Sequence, residues 1–343
     1  MKREEFNTWR HGPRIDPDRA RVLLKPFVPG DEARIRGILT RVSTITDGEA
    51  RQLLEAVRAE FGGRHRNIER AFTNRFEQIR HLLPARIKPS RSQRLLIGSY
   101  FCCEYSLEAA ALFNPSVVPH PDQQGVPEGS LRFIMSLRAT GEGHISSIEF
   151  RSGLVDGQGN VTLDQPGRFV SLPHVEADPS YDRAVFESTL QHEGCLDASM
   201  TKILRPLPRR FKRSHLMSQI ARFRKLNKRL SAKQTRSLER AEALAELNYT
   251  ISFSKDQPLP ERAIFPVSSY ESNGFEDARF VRFLDEHGGA TIYATYTAYN
   301  GRTIKPLIIE TSDFLRFNVR SLSGDAAQNK GMALFPRKVR GRF

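Results

Sequence analysis

The densest group of side chains that could do chemistry is Glu-Asp-Ala-Arg at 276–279. It sets two carboxylates and a guanidinium between an Asn-Gly turn and a run of strand-forming residues. A carboxylic acid can protonate the leaving oxygen of a glycosidic bond, so this group indicates general acid chemistry. The same residues also fit a salt bridge at the exposed entry of a strand, which contributes little to stability. Local sequence alone favours this second interpretation.

Three further places carry residues that could bind a ligand. Arg138 lies inside an apolar, strand-like run, where its charge needs an anion, a carbonyl group or water. Lys330 and Lys338 bracket a short apolar stretch and could converge on an anion such as phosphate, although both also fit solvated strand ends. Asn114 precedes Pro115, a pair that also fits a simple helix-to-strand turn.

The elements that must position these residues change character along the chain. Residues 1–30 have the composition of an extended arm, and apolar spacing then predicts four helices between 31 and 112. After residue 114 the pattern predicts short strands separated by Gly and Asp turns, at 131–139, 144–151, 161–163, 249–253, 279–284, 291–299 and 307–310. Such a series is typical of a sandwich, barrel or propeller. Three helices are predicted to interrupt the strands between 182 and 248.

The positive charge is concentrated in that helical interruption. The net charge is +14, and residues 200–240 hold fourteen Lys and Arg against one acidic residue, which leaves about +1 for the rest of the chain. Cations alternate with Phe at 209–213 and 222–225, as they often do in nucleic-acid contacts. The Phe residues also fit an apolar helix stripe with the cations in water, so nucleic acid is the less favoured partner.

Composition excludes several protein classes. The chain has 343 residues with 39% hydrophobic and 27% charged residues, unlike a wholly disordered chain. No apolar run approaches the ~20 residues of a membrane span, and the first residues lack the apolar stretch of a secretory signal. Three cysteines make no disulfide framework and fit a reducing cytoplasm. No metal-binding motif appears, so no metal is predicted.

Five sequence blocks, taken in order, resemble glycoside hydrolase family 130, the mannoside phosphorylases and β-mannosidases. The blocks are Leu-Phe-Asn-Pro-Ser-Val-Val at 112–118, Leu-Arg-Ala at 137–139, Gly-Phe-Glu-Asp-Ala-Arg at 274–279, Tyr-Thr-Ala-Tyr at 296–299 and Ala-Leu-Phe-Pro-Arg-Lys at 333–338. The resemblance implies a mainly β fold, a five-bladed β-propeller of which about the first two to three blades are present. It also implies a helical N-terminal extension over 1–111 and a partial catalytic propeller over 112–343, with a basic helical insertion at 182–248.

The implied reaction is cleavage of a β-mannosidic bond with inversion. Asp277 matches the family's general acid, and the resemblance places five further residues in the sugar subsite: Asn114, Arg138, Glu276, Arg279 and Tyr299. Lys330 and Lys338 would bind inorganic phosphate, the co-substrate, and no organic cofactor or metal is implied. The resemblance implies an enzyme of carbohydrate metabolism, and the cytoplasm is the expected compartment. The expected product is mannose 1-phosphate, released by phosphorolysis.

Several alternatives stay open at this stage. Lys330-Gly331 stands where the phosphorylases carry Arg-Asn, so hydrolysis by an inverting β-1,2-mannosidase is the alternative to phosphorolysis. A nucleic-acid-binding module that uses the basic helices at 200–240, or a carbohydrate binder without turnover, are the alternatives from other classes. No membrane partner is expected, and self-association through the helical extension stays open. Because blades are expected to be missing, we expect these residues alone to have little activity.

Overall fold

The computed structural model of this protein describes residues 12–176, 178–322, 327 and 329–341. The α-helices in these ranges are α1 (Glu32–Thr44), α2 (Asp47–Phe61), α3 (Ile68–Ile79), α4 (Arg91–Tyr100), α5 (Arg183–His192), α6 (Ala198–Leu204), α7 (Arg213–Leu226) and α8 (Ala232–Leu247). The strands are β1 (Val22–Pro26), β2 (Cys102–Ser106), β3 (Ala111–Pro119), β4 (Leu131–Thr140), β5 (Ser146–Val155), β6 (Val161–Leu163), β7 (His174–Val175), β8 (Ser180–Asp182), β9 (Arg210–Lys212), β10 (Tyr249–Ser252), β11 (Ala263–Ile264), β12 (Gly274–Leu284), β13 (Ala290–Tyr299), β14 (Ile304–Thr311) and β15 (Arg316–Ser321).

The first four helices begin where the sequence offers a capping side chain. Asp31 accepts a hydrogen bond from a backbone N–H of the first turn of α1. Thr46 and Ser90 form capping boxes at the starts of α2 and α4, each with a side chain three residues later. The apolar faces of these helices bury Leu39 and Leu96 completely, so packing of the amphipathic faces holds the helices together.

The largest sheet has 11 strands and is not closed. Its strand order is β3-β4-β5-β12-β13-β14-β15-β10-β7, and both β6 and β11 pair with β5. All of these pairings are antiparallel except the one between β5 and β12, which consists of a single residue pair, Ser146 with Gly274. The sheet is therefore two antiparallel stretches that meet at one point.

The helices between β8 and β10 form a compact body with a core of its own. That core buries Leu190, Leu204, Leu216 and Leu238 completely, among other apolar side chains. The short strands β8 and β9 pair with each other and frame the entry to α5 and α7. The basic segment is thus a folded part of the chain.

Buried ion pairs tie the N-terminal part of the chain to the large sheet. Arg21 is 1% exposed, and its guanidinium lies 2.8 Å from Glu108 Oε1 and 2.8 Å from Glu149 Oε2, on β5. Arg151 Nη2 lies 2.6 Å from Glu108 Oε1. Two guanidinium groups and two carboxyl groups therefore contact one another away from solvent, where a lone buried charge would be costly.

Most predicted elements are present, with three differences. The first is that four helices, α5 to α8, stand between 182 and 248 where three are predicted. All seven predicted strand regions are confirmed, and three of the predicted N-terminal helices are confirmed. The prediction that the fourth helix continues to residue 112 is wrong: α4 ends at Tyr100, because β2 pairs with β1 and Glu108 turns inward to the two arginines. The chain is also a mixture of helix and sheet rather than mainly β, since its helices occupy a share comparable to that of the strands.

Candidate functional site

Two strand irregularities face each other between β3 and β12. The pairing of β3 with β4 shifts register between Phe113 and Ser116, and that of β12 with β13 shifts between Glu276 and Arg279. Bulges of this kind re-aim side chains and are frequent next to active sites. Ser116 Oγ accepts a hydrogen bond of 2.8 Å from Phe280 N, so the two strands are joined immediately after their irregularities.

Each irregularity contains a residue in left-handed backbone conformation. Asn114 has φ 52° and Asp277 has φ 56°, values that non-glycine residues seldom adopt and that Asn and Asp tolerate best. The Asn114 side-chain amide donates a hydrogen bond to Asp277 Oδ1. Backbone strain of this kind persists only where the surrounding structure holds it, and it clusters at functional sites, so the pair marks a candidate site.

Arg138 connects this pair with the neighbouring carboxylate. Its Nη1 lies 3.4 Å from Asp277 Oδ1, and its Nη2 lies 3.1 Å from Glu276 Oε1. Its Nε donates to Ser146 Oγ at 2.9 Å, and the guanidinium lies 4.9 Å from the centre of the Phe113 ring. Four contacts thus fix the guanidinium plane between the two carboxylates.

Lys330 contacts the oxygen of Glu276 that Arg138 leaves free. Its ammonium lies 2.5 Å from Glu276 Oε2 and 4.8 Å from the centre of the Tyr299 ring. Glu276 therefore has a cation at each oxygen, which holds its position and leaves it little freedom to act as a base. Both contacts of Asp277, in contrast, use Oδ1 alone.

The group is reachable from solvent. The side chain of Asp277 is 29% exposed, against 14% for Glu276 and 19% for Arg138. We call this group the carboxylate cluster; its members are Asn114, Arg138, Glu276, Asp277, Tyr299 and Lys330. An incoming ligand can therefore reach the Asp277 side chain while the cations hold the neighbouring carboxylate.

Two predicted site residues are not members of the carboxylate cluster: Arg279 is adjacent to it, and Lys338 is distant from it. Arg279 borders the carboxylate cluster and directs Nη1 toward the Pro115 carbonyl oxygen at 3.4 Å. Lys338 lies 3.7 Å from Glu286, beyond the opposite end of β12. The structure does not bring Lys330 and Lys338 together, because the segment between them runs along the sheet: Thr295 Oγ1 donates to Met332 O. Near the other end of that segment, Leu284 N donates to Pro336 O.

A cavity of about 660 Å³ lies near Lys338 rather than at the carboxylate cluster. It is lined by Leu284, Asp285, Glu286, Phe335, Pro336, Arg337, Lys338 and Gly341. The carboxylate cluster, which has converging charges, backbone strain and a partly exposed acid, is the better candidate site on chemical grounds.

Sequence reasoning missed two residues that position Arg138. Phe113 lies beside Asn114 in the sequence block at 112–118, so the sequence could have indicated that it lies near the site. No local pattern indicates Ser146, because its contact with Arg138 depends on the register in which Arg138 of β4 pairs opposite Ile148 of β5. Strand register is set by long-range pairing and is not visible in a local pattern.

Neither a metal site nor a membrane span is found in the described part of the chain. Among those residues, no group of three or more His, Cys, Asp or Glu side chains could hold a metal ion. A search of the same residues finds no helix with the length and apolar character needed to cross a bilayer. Comparison of the chain with protein-family models, curated proteins and solved structures finds no match.

Proposed function

We propose that this protein cleaves β-mannosidic bonds with inversion and that Asp277 is the general acid. The observation that carries the proposal is the position of the Asp277 carboxylate, partly exposed and held by Asn114 and Arg138 at two facing strand irregularities. Those three residues come from three separate blocks of the family resemblance. Their convergence at one place supports that resemblance, because a chance match of local motifs carries no such expectation.

The strand pairing supports a propeller for the proposed fold. Strands β3 to β6 form one antiparallel group of four, and β12 to β15 form a second. Propeller blades are four-stranded antiparallel sheets arranged around a channel. The only strand pairing between the two groups in the described residues is that of Ser146 with Gly274, an arrangement that two neighbouring blades could share, and the carboxylate cluster lies where the groups approach each other.

In the proposed reaction, phosphate attacks the anomeric carbon of mannose as the glycosidic bond breaks. The leaving oxygen receives the proton that Asp277 supplies, through a sugar hydroxyl as the resemblance implies, and mannose 1-phosphate forms with inverted configuration. Arg138 and Asn114 orient the acid, and Glu276, Arg279 and Tyr299 shape the sugar subsite. Lys330 supports phosphate as the nucleophile, since phosphate needs cations rather than a base.

Water is the alternative nucleophile. An inverting hydrolase needs a second carboxylate about 6.5–9.5 Å from the acid, with room for water between them. Glu276 is the neighbouring carboxylate, but both of its oxygens contact cations. This favours phosphorolysis, although Lys338 adds nothing to that argument. The proposed compartment is the cytoplasm, which agrees with free thiols at Cys102, Cys103 and Cys195.

The test is to incubate the protein with β-1,2- and β-1,4-mannobiose, with and without inorganic phosphate. Mannose 1-phosphate formed only with phosphate supports phosphorolysis, and free mannose formed without phosphate supports hydrolysis. Binding should be measured in parallel by calorimetry, so that binding without turnover is detected. Absence of both binding and turnover with each disaccharide would overturn the proposal.

A further inference from the structure

The connection between α7 and α8 is a firmly held helical hairpin. Asn227 Nδ2 donates to Phe223 O at 2.8 Å and closes the end of α7. Ser231 and Gln234 form a capping box that starts α8. Leu230, between the two helices, packs against the core of the helical body. The residues at the turn are therefore presented in a defined position.

Six exposed cations surround this turn, and we call them the cationic tip: Arg222, Lys225, Lys228, Arg229, Lys233 and Arg236. In the part of the chain that the structure describes, none of them has a carboxylate partner. Two neighbours behave differently: Arg224 makes a paired contact with Glu242, and Arg240 makes one with Glu193. Glu242 and Glu193 thus fix the helices together, and no ion pair within the described residues compensates the tip.

The placement of these charges opposes the stability of the hairpin. The first turn of α8 contains Lys233 and no acidic residue, although the positive end of a helix dipole favours acids there. Six like charges around one turn also repel one another. Charges that cost stability and have no internal partner indicate an external anionic one.

The apolar pattern of α7 favours nucleic acid over a membrane as that partner. A helix that binds a membrane surface must expose a continuous apolar face. Leu216 and Ile220 are instead buried in the helical body, and Leu226, 73% exposed, is the exposed large apolar side chain of the described hairpin. Discrete phosphates at regular spacing suit an array of separate Lys and Arg side chains better than a flat apolar interface does.

We infer that the cationic tip binds the phosphate backbone of a nucleic acid. The surface lies on the helical insertion rather than among the residues of the carboxylate cluster, so the inference does not rest on the proposed mannoside chemistry. Side chains that contact phosphates carry no sequence information, so the expected binding is strong at low salt and indifferent to base sequence.

The experiment measures binding of fluorescently labelled 20-mers, both duplex DNA and single-stranded RNA, by anisotropy between 50 and 200 mM salt. If all six cations contact phosphates of duplex DNA, log K should fall with log salt with a slope of about −5, a loss of about 10³-fold over this range. Affinity should be equal, within about twofold, for two unrelated sequences. A slope near zero, or no binding to either nucleic acid at 50 mM salt, would overturn the inference.

Matched variants distinguish the effect of the cationic tip on binding from the effect of the net charge of the protein. Changing Arg222, Lys225, Lys228, Arg229, Lys233 and Arg236 to Gln should weaken binding at least about 100-fold and flatten the salt dependence. The control changes six exposed arginines in and directly after the N-terminal helices to Gln, namely Arg34, Arg36, Arg41, Arg51, Arg70 and Arg80, with the same loss of charge. Equal loss in both variants would contradict the assignment of the tip.

Two additional measurements test whether the tip variant is folded and whether the wild-type protein binds anionic membranes instead. Circular dichroism melting of the tip variant should show an unchanged or raised melting temperature, because like charges are removed; a large drop would require the six changes to be tested in two groups of three. Binding of the wild-type protein to vesicles of anionic lipid, without binding to nucleic acid, would overturn the inference in favour of a membrane surface.

Discussion

The Asn114 side chain donates a hydrogen bond to Asp277, and both residues occupy left-handed backbone, on the facing strands β3 and β12. They are 163 residues apart in the chain. Each stands at a strand irregularity, and Ser116 and Phe280 join the strands just beyond. The two unusual conformations therefore support each other, and together they bring an acid to a fixed, partly exposed position.

The first prediction is that Asp277→Asn abolishes turnover of mannosides. The amide cannot supply a proton, but it is nearly isosteric and retains an oxygen for Asn114 and Arg138. We expect at least about 10²-fold loss in kcat, the lower limit for removal of a general acid. Initial rates with and without phosphate measure it.

The matched control is Asp16→Asn, at a carboxylate that is 63% exposed and pairs with Arg14 far along the chain from the carboxylate cluster. This variant should keep full activity. Urea unfolding of both variants should give midpoints close to that of the wild type. Full activity in the Asp277 variant would contradict the proposed role of Asp277, and equal loss in the control would point to a general effect.

The second prediction concerns Gly274, where the two antiparallel stretches meet. Its φ is 113°, and a Cβ there would lie 2.5 Å from the Ser146 carbonyl oxygen. Gly274→Ala should lower the free energy of unfolding by about 3 kcal/mol, because it combines backbone strain with overpacking against a backbone that cannot move aside. It should also disturb the contact of Ser146 with Arg138.

Gly288→Ala is the control for that substitution. Gly288 also has a positive φ, 80°, but a Cβ there would meet no atom within 4 Å. The expected cost is therefore strain alone, about 1 kcal/mol. Urea unfolding of both variants gives the comparison, and equal costs would show that the close approach at Gly274 has no energetic weight.

Much of the strand pattern was predictable because it is local. Apolar and β-branched residues with Gly and Asp turns define β4, β5, β12 and β13 without knowledge of their partners. Strand β3 was not predicted, because Asn114-Pro115 reads as a turn. Its irregularity at those residues, between Phe113 and Ser116, is what makes the pattern ambiguous.

The residues of the carboxylate cluster could be predicted from the sequence, but the contacts between them could not. Arg138, Glu276 and Asp277 each carry a charge in an apolar setting, which is visible in the sequence. Their meeting depends on strand register and on the single pairing of β5 with β12. The separation of Lys330 from Lys338 has the same origin, since an extended segment of eight residues spans roughly 26 Å.

The third prediction is a pH dependence of stability that originates in Glu149. Burial raises the pKa of Glu149 from 4.5 to about 7; the positive charge of Arg21 opposes this rise, and the carboxylate of Glu108 adds to it. The native state therefore keeps a proton that the unfolded chain releases. The resulting stabilisation is complete below the unfolded pKa of 4.5 and is lost as the pH rises through the raised pKa of the native state.

Glu149→Gln tests this dependence, since the amide resembles the protonated acid at every pH. The variant should show a flatter free energy of unfolding between pH 4.5 and 7 than the wild type, measured by urea unfolding at several pH values. Glu77→Gln, at a half-exposed carboxylate paired with Arg80, should leave the wild-type slope in place. Parallel curves for all three proteins would contradict the assignment to Glu149.

The last prediction concerns Glu271, a fully buried carboxylate whose hydrogen bonds are complete. Its Oε1 accepts from the hydroxyls of Tyr249 at 2.8 Å and Tyr296 at 2.6 Å. Its Oε2 accepts from the backbone N–H groups of Ser268 at 2.8 Å and Val267 at 3.1 Å. Burial, with the nearby charge of Glu271, raises the pKa of both tyrosines well above the usual value, so both remain donors.

Three substitutions should destabilise the protein in a fixed order, because they leave different numbers of buried donors unsatisfied. Glu271→Leu leaves all four donors without an acceptor and should lower the free energy of unfolding by about 4 kcal/mol or more. Glu271→Gln keeps an oxygen for the two N–H groups and turns its amide toward the tyrosines, at a cost of about 2 kcal/mol. Tyr296→Phe removes one neutral donor and should cost about 1 kcal/mol. Urea unfolding at one pH measures all three, and a Leu variant no less stable than the Phe variant would show that the carboxylate does not hold this part of the sheet.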